Sequence, residues 1–464
     1  MTKDVTSPKR VIFTVVANNY LPYARVLMQS VKQHTNDVQC VIFLCDRKQN
    51  KYLSTYNEIA TEVNLICIEE LEIDDFPTMA FCYSLIELCT AVKPFCANWL
   101  MDRGAPSLIY LDPDIKTYAS LNLVFEQLEK NNIVLTPHLT DPILDSARPN
   151  HVDILRAGTY NLGFIGIQNS NEARRFLNWW SDKLVHQCIN APDQGLFVDQ
   201  RWVDLAPGLF DGVLVSRHPG LNVAYWNLEN RTLSKKSSTF LANDEPLIFI
   251  HYSGINPKTV EFSHHQNRYS FSNLPPIVNT LAKDYIKEIN EVSDSTPTKN
   301  YEYGEFNNGE IISDSARQVF RESDDSFEIK TIIQDDPTFL TKLATLLNAP
   351  AEDPTSVAST PLITRIAHHI YKTREDLQHR FKDLFGDDAE EFTDWLVLSN
   401  KSNNELPSEC VSYLKSLLDI NKTTKPFLRK ALTFYHTSPK LKKVVLIMTN
   451  EKIRKQLLIN LNRK

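Results

Sequence analysis

A chain of 464 residues with 42% hydrophobic and 23% charged residues has the make-up of a globular protein of two or three domains, which excludes a disordered chain and a small disulfide scaffold. The net charge of −7 hides an imbalance: residues 421–464 carry twelve Lys or Arg against Glu451 alone, so the rest stands at −7 − 11 = −18. A body that acidic, with no recognised binding motif, argues against nucleic acid as a partner.

RVIFTVVA (10–17) reads as a first strand, YLPYARVLMQSVKQHT (20–35) as a helix, and VQCVIFLCD (38–46) and VNLICIEEL (63–71) as further strands. A long helix is expected over about Ser84–Arg103, and SLIYLDPDI (107–115) closes the unit as a strand. Short, nearly continuous apolar strands separated by helices predict an α/β fold with a mostly parallel sheet covered on both faces. None of the eight cysteines forms a CxxC pair. Cys82, Cys89 and Cys96 recur every seven residues, as one buried helix face would, so a reducing compartment is expected rather than a metal or redox site. Strand-like runs return at NNIVLTPHL (131–139), TYNLGFIGI (159–167), LNVAYW (221–226) and PLIFIHYSG (246–254), around a helix at 171–189 where Trp179 and Trp180 serve packing. The expected organisation is an α/β domain over 1–270, a linker or wrapping segment over 271–326, a helical region over 327–420 and a basic amphipathic tail over 421–464. The opening MTKDVTSPKR lacks the apolar core of a secretion signal, and no apolar run nears the roughly 18–20 residues that span a bilayer. A cytoplasmic location is expected, peripheral to the inner face of the cell membrane if the tail meets an anionic surface.

Chemistry gathers where SLIYLDPDI runs into Asp112 and Asp114. Residues i and i+2 of an extended chain point the same way, so two like charges there either face water in a turn that Pro113 begins or grip a cation between them. In open parallel sheets, ligands lie beyond the carboxyl ends of the strands. With only 12 glycines and neither GxGxxG nor GxxxxGK[ST], a dinucleotide fold and a P-loop are disfavoured. A metal held by carboxylates, with a diphosphate completing its shell, is one remaining option. Lys93 can assist as a point charge, and His251, leaving another apolar strand, can be the third ligand. Two oxygens and an imidazole suit Mn²⁺, with Mg²⁺ as the alternative. His264-His265 and His368-His369 are adjacent rather than at i, i+4 and receive no role.

In this order, SLIYLDPDI, GTYNLGFIGI, FVDQRWVDL and LIFIHYSGINP resemble bacterial nucleotide-sugar glycosyltransferases of the GT-A fold, nearest to family-8-like enzymes of the polysaccharide or O-antigen cluster type. PGLNVAYWNLENR (219–231) adds to the likeness, which covers about residues 9–257. The resemblance implies a sugar transferred, with retention, from a nucleotide-sugar donor, UDP-linked, to a saccharide or lipid-linked acceptor. It places Asp112, Asp114 and His251 on the metal and Thr14, Ala17, Asn18 and Tyr20 around base and ribose. Lys93, Asn161, Gly163 and Gly254 fall along the nucleotide sugar, with Asp112 also near the ribose. Asp199 and Gln200 match the catalytic pair beside the anomeric carbon, although Asp193-Gln194 is a second such pair six residues upstream. One departure is that Ile255-Asn256-Pro257-Lys258 stands where Lys-Pro-Trp often follows His-x-x-Gly. The competing expectation is a catalytically silent GT-A domain acting as a scaffold in a glycan-assembly complex. A glycoside hydrolase fits poorly, since acids at i, i+2 cannot flank a glycosidic bond at separations of roughly 5–9.5 Å.

Overall fold

The computed structural model describes residues 9–259, 261–293, 301–306, 308–323, 339–351 and 362–421, in two compact units, Met1–Gly304 and Glu305–Lys464. The first unit is built on β1 (Arg10–Val16), α1 (Leu21–His34), β2 (Val38–Leu44), β3 (Asn64–Cys67), β4 (Ser107–Leu111), β5 (Ile115–Thr117), β6 (Ile133–Leu135) and β7 (Phe164–Gln168). Its seven-stranded sheet runs from an edge strand, Val213–Val215, through β6, β7, β4, β1 and β2 to β3. All neighbours are parallel except at β7, which runs against both β4 and β6. This is the mostly parallel α/β sheet that the apolar runs predict.

Burial explains those runs. Every residue of β4 and all but the first of β1 are buried, because helices cover both faces and leave no side for polar alternation. Pro22 in the first turn suits α1, where its missing N–H costs no helical bond. Leu21, Ala24, Leu27, Met28 and Val31 then join Ile12, Val16, Ile42 and Ile109 in one core cluster.

Two details of topology build the site. Because β7 is antiparallel, its beginning meets the carboxyl end of β4, and the Asp112 N–H donates to the Gly163 carbonyl at 2.8 Å. After Pro113 the chain turns away as β5, which pairs antiparallel with the strand Phe249–His251, Ile115 opposite His251. The two acids therefore sit at the bend between sheets, with the histidine brought alongside.

Several expected elements differ. The long helix over Ser84–Arg103 is two helices, Leu85–Ala91 and Lys93–Asp102; Pro94, which has no N–H to donate, stands in the first turn of the second. Cys82, Cys89 and Cys96 lie on three separate helices rather than on one face, Cys82 ending Phe76–Cys82; Cys82 and Cys96 are buried and Cys89 only partly, and all eight cysteines are free thiols. LNVAYW is not a strand. Asn222 adopts a left-handed φ of 54°, and only Val223 forms a single bridge, to Ile250. The Asn222 side chain is instead spent inside the protein, donating to Thr136 Oγ1 at 3.0 Å. Within 271–293 lies the helix Pro276–Ser293, whose Val278, Leu281, Tyr285 and Ile289 pack with Ile250 and Tyr252 in a second core cluster.

The second unit is helical: Asp314–Glu322, Phe339–Leu347, Arg365–Thr373, Glu375–Arg380, Ala389–Asn403 and residues 408–421. Phe339, Phe381 and Phe392 are among its fully buried side chains. Among the described residues, no helix is long and apolar enough to cross a membrane. The basic tail lies outside the described residues from position 422 onward.

Candidate active site

At the mouth of β4, one ligand atom each from Asp112, Asp114 and His251 lies within 4.8 Å of the others. His251 Nε2 is 3.0 Å from Asp114 and 3.8 Å from Asp112. The acids are partly open to solvent, whereas the imidazole is buried, edge-on to Trp226. Its other nitrogen, Nδ1, lies 3.0 Å from Asn161 Oδ1, which turns Nε2 toward the carboxylates. Burial pushes the imidazole pKa down, but Asp114 and then Asp112 outweigh it, and the net shift is upward. Two carboxylates, one imidazole and an open side fit a divalent cation.

The histidine reaches this position because residue 163 is glycine. A Cβ there would come 2.4 Å from His251 Cε1 and 2.9 Å from Asn161 Oδ1.

Behind the acids, Lys93 is fully buried at the start of its helix. Its ammonium stands 2.9 Å from Asp199 and 3.5 Å from Asp112, donates to the Leu162 carbonyl at 3.0 Å, and lies over the Tyr110 ring. Burial alone would lower its pKa; Asp112 and Asp199 reverse that. Asp199 is 1% exposed, and burial lifts its carboxyl to about 6 even with Lys93 opposing. Tyr110 donates to Asp112 at 2.6 Å and holds that carboxylate from a second side.

Gln200 is fully engaged. Its amide donates to the Ala157 carbonyl at 2.8 Å and accepts from the Leu162 N–H at 2.9 Å, pinning the turn that carries Asn161 and Gly163. The two Asp-Gln pairs differ sharply, since the Asp193 side chain is 91% exposed. Trp180 is buried and donates to the Asp199 carbonyl, as packing would have it.

The structure thus links Lys93, Asp112, Asp114, Asn161, Gly163, Asp199, Gln200 and His251 by direct contacts. The residues after β1 belong to a neighbouring network. Asn18 is buried, donates to Asp46 at 2.9 Å and to the Arg47 carbonyl, and accepts from the Tyr56 hydroxyl at 2.7 Å. Thr14 is buried in β1, and its hydroxyl has no hydrogen-bond partner among the described residues. The Ala17 carbonyl accepts from the N–H of Tyr20, whose exposed ring stacks on Tyr23 at 4.6 Å. Gly254 sits at a left-handed φ of 75° in the turn beyond His251, and Lys258 is exposed.

Sequence reasoning missed Asp46, Tyr110, His138 and Asn222. Asp46 had a readable signal, an acid ending the apolar run VQCVIFLCD as Asp112 ends its own. It is buried, which raises its carboxyl to about 6, and it accepts from the Glu302 N–H at 3.0 Å. His138, lowered to about 4 by burial, stands behind Asn161 and had no such signal.

No family model matches the chain. It is similar to the uncharacterized protein YfnF of Bacillus subtilis (strain 168), 28% identical over 247 residues, 52% of this chain and 80% of that protein. The uncharacterized protein YfnD of the same organism is 26% identical over 246 residues, 52% and 76% of the two chains. Among solved structures, a galactosyltransferase, LgtC, in complex with donor and acceptor sugar analogues, shares 15% identity over 61% of this chain and 96% of its own, with a TM-score of 0.40. The glycosyltransferase GlyE of Streptococcus pneumoniae TIGR4 shares 16% over 63% and 66%, with a TM-score of 0.35.

Proposed function

We propose that this protein is a metal-dependent glycosyltransferase of the GT-A type, moving a sugar from a nucleotide-sugar donor, UDP-linked, to a saccharide or lipid-linked acceptor with retention. The observation that carries this reading is the Asp112–Asp114–His251 cluster at a strand end, backed by a buried lysine shared between Asp112 and Asp199. A divalent ion bound there would supply Lewis acidity to a departing diphosphate.

The chain's own residues do the rest. Lys93 and Tyr110 fix the Asp112 carboxylate from two sides, so it is presented in one orientation. Asn161 and Gly163 hold the His251 ring with Nε2 outward. Asp199, kept beside Lys93, supplies negative charge toward the sugar, where oxocarbenium character develops. Gln200 positions the Asn161–Leu162 turn. Asn18, Tyr20, Thr14 and Ala17 are assigned to the base and ribose, and Gly254 to the diphosphate side.

The test is thermal unfolding with Mn²⁺ and a panel of nucleotide sugars, followed by donor hydrolysis. Asp112→Asn and Asp114→Asn should keep the unfolding midpoint of the ligand-free protein but lose Mn²⁺-dependent stabilisation and turnover. Full activity in either variant, or in excess EDTA, removes the metal from the reading. Stabilisation without turnover on every acceptor tried favours the scaffold.

A further inference from the structure

The turn beyond His251 brings two more imidazoles toward the site. At Gly254 a Cβ would lie 2.6 Å from His265 Cδ2 and 2.7 Å from Ser263 Oγ, so the loop 263–265 is folded onto this glycine. His264 Nδ1 lies 3.2 Å from the Gly254 carbonyl and donates to it, and the His264 and His265 rings are 3.9 Å apart. His265 also stacks on Tyr225 at 6.4 Å. Tyr225 packs edge-on to Trp226, and Trp226 edge-on to His251. Both histidines of the pair are exposed, unlike His251. Desolvation where the ring packs on the Gly254 turn, and then His264, lower the His265 pKa, against a smaller upward pull from Asp114.

The charge balance of the proposed site leaves work for such a group. Asp112, Asp114 and Asp199 against Lys93 leave two negative charges, and a divalent ion cancels them. A sugar diphosphate then adds about two more negative charges, which need donors of their own. Lys93 is already divided between two carboxylates, Lys116 is paired with Glu288, and Arg268 with Asp145 and Glu229.

We propose that His265 is a diphosphate-binding residue, donating from its ring to the donor's phosphate oxygens, with His264 bracing the turn through the Gly254 carbonyl. This rests on the glycosyltransferase reading and adds to it a residue that carries specificity for a diphosphate over a monophosphate.

The experiment is titration calorimetry in Mn²⁺. Wild type is first screened with UDP, GDP, ADP, CDP and dTDP; the tightest of these and its matching monophosphate are then titrated into wild type, His265→Ala and His265→Gln. His265→Ala should weaken the diphosphate about tenfold and the monophosphate less than twofold, with His265→Gln, which keeps an N–H donor, in between. If His265→Ala does not fold, the diphosphate-to-monophosphate ratio of His265→Gln decides alone. Unchanged diphosphate affinity, or equal loss for both ligands, overturns the role of His265 and leaves the glycosyltransferase reading standing. Absence of binding by wild type to every diphosphate takes down both.

Discussion

Gly163 leaves the space in which His251 and Asn161 meet. Its neighbours His251 and Asn161 are buried and hold one another, so an added methyl group has nowhere to go. Gly163→Ala should cost about 1–3 kcal/mol in urea unfolding, as overpacking does, and should also abolish Mn²⁺-dependent stabilisation. Retained Mn²⁺ response would mean that His251 is not held where the reading needs it. The acids and His251 were legible in the sequence because a charge ending an apolar strand is a local pattern. The packing reason for Gly163 was not, because it depends on a ring 88 positions away, 251 − 163, which no local pattern reports. Gln200 was read as catalytic from its motif; its hydrogen bonds, which only the fold reveals, engage both ends of its amide in holding backbone.

Among the elements, the carboxyl ends of β2 and β4 behave alike. Each apolar run finishes on an acid, Asp46 after β2 and Asp112 after β4; Asp46 accepts from Asn18 and Glu302, far away in the chain, and Asp112 from Tyr110 of its own strand. Asp46 is buried and its carboxyl stands at about 6 in the folded protein, against 3.8 ordinarily. A raised pKa means the folded state holds this proton more tightly than the unfolded chain. Its stabilising contribution is therefore full below about pH 4 and is lost as pH rises through about 6. The stability of wild type relative to Asp46→Asn should fall by up to roughly 3 kcal/mol between pH 4 and pH 7, measured by urea unfolding at each pH. A pH-independent difference would show that Asp46 binds its proton equally in the folded and unfolded protein, with no raised pKa. Periodicity located most of the sheet, since buried strands announce themselves as apolar runs. It failed at Ser84–Arg103, where Pro94 divides one helical pattern, and at LNVAYW, where Asn222 turns the chain for the sake of buried hydrogen bonds.

At the scale of the molecule, the division at Gly304 separates an α/β unit holding every proposed site residue from a helical unit holding none. Composition alone showed the acidic body and the basic tail; from it we propose that residues 421–464 meet an anionic membrane surface, the alternative being a tail docked on the acidic body. With about 1 kcal/mol available per basic residue near such a surface, the full chain should sediment with phosphatidylglycerol-containing vesicles and not with neutral ones. A chain ending at Asp419 should stay in solution. Equal sedimentation of the two would sink the membrane assignment.

The antiparallel β7 has one more consequence, for the order of events during folding. It makes the site a junction of distant chain: Lys93 reaches Leu162 across 69 positions, and Asn161 meets His251 across 90. Closing such loops costs more chain entropy than forming local helices and neighbouring strands, so it is expected to follow them. A nascent or partly folded chain therefore has two adjacent acids but no third ligand at the mouth of β4. A cation arriving early would find only a weak, open pair, so an ion bound at the proposed site would act as a lock on the finished sheet, slowing its opening without hastening its assembly.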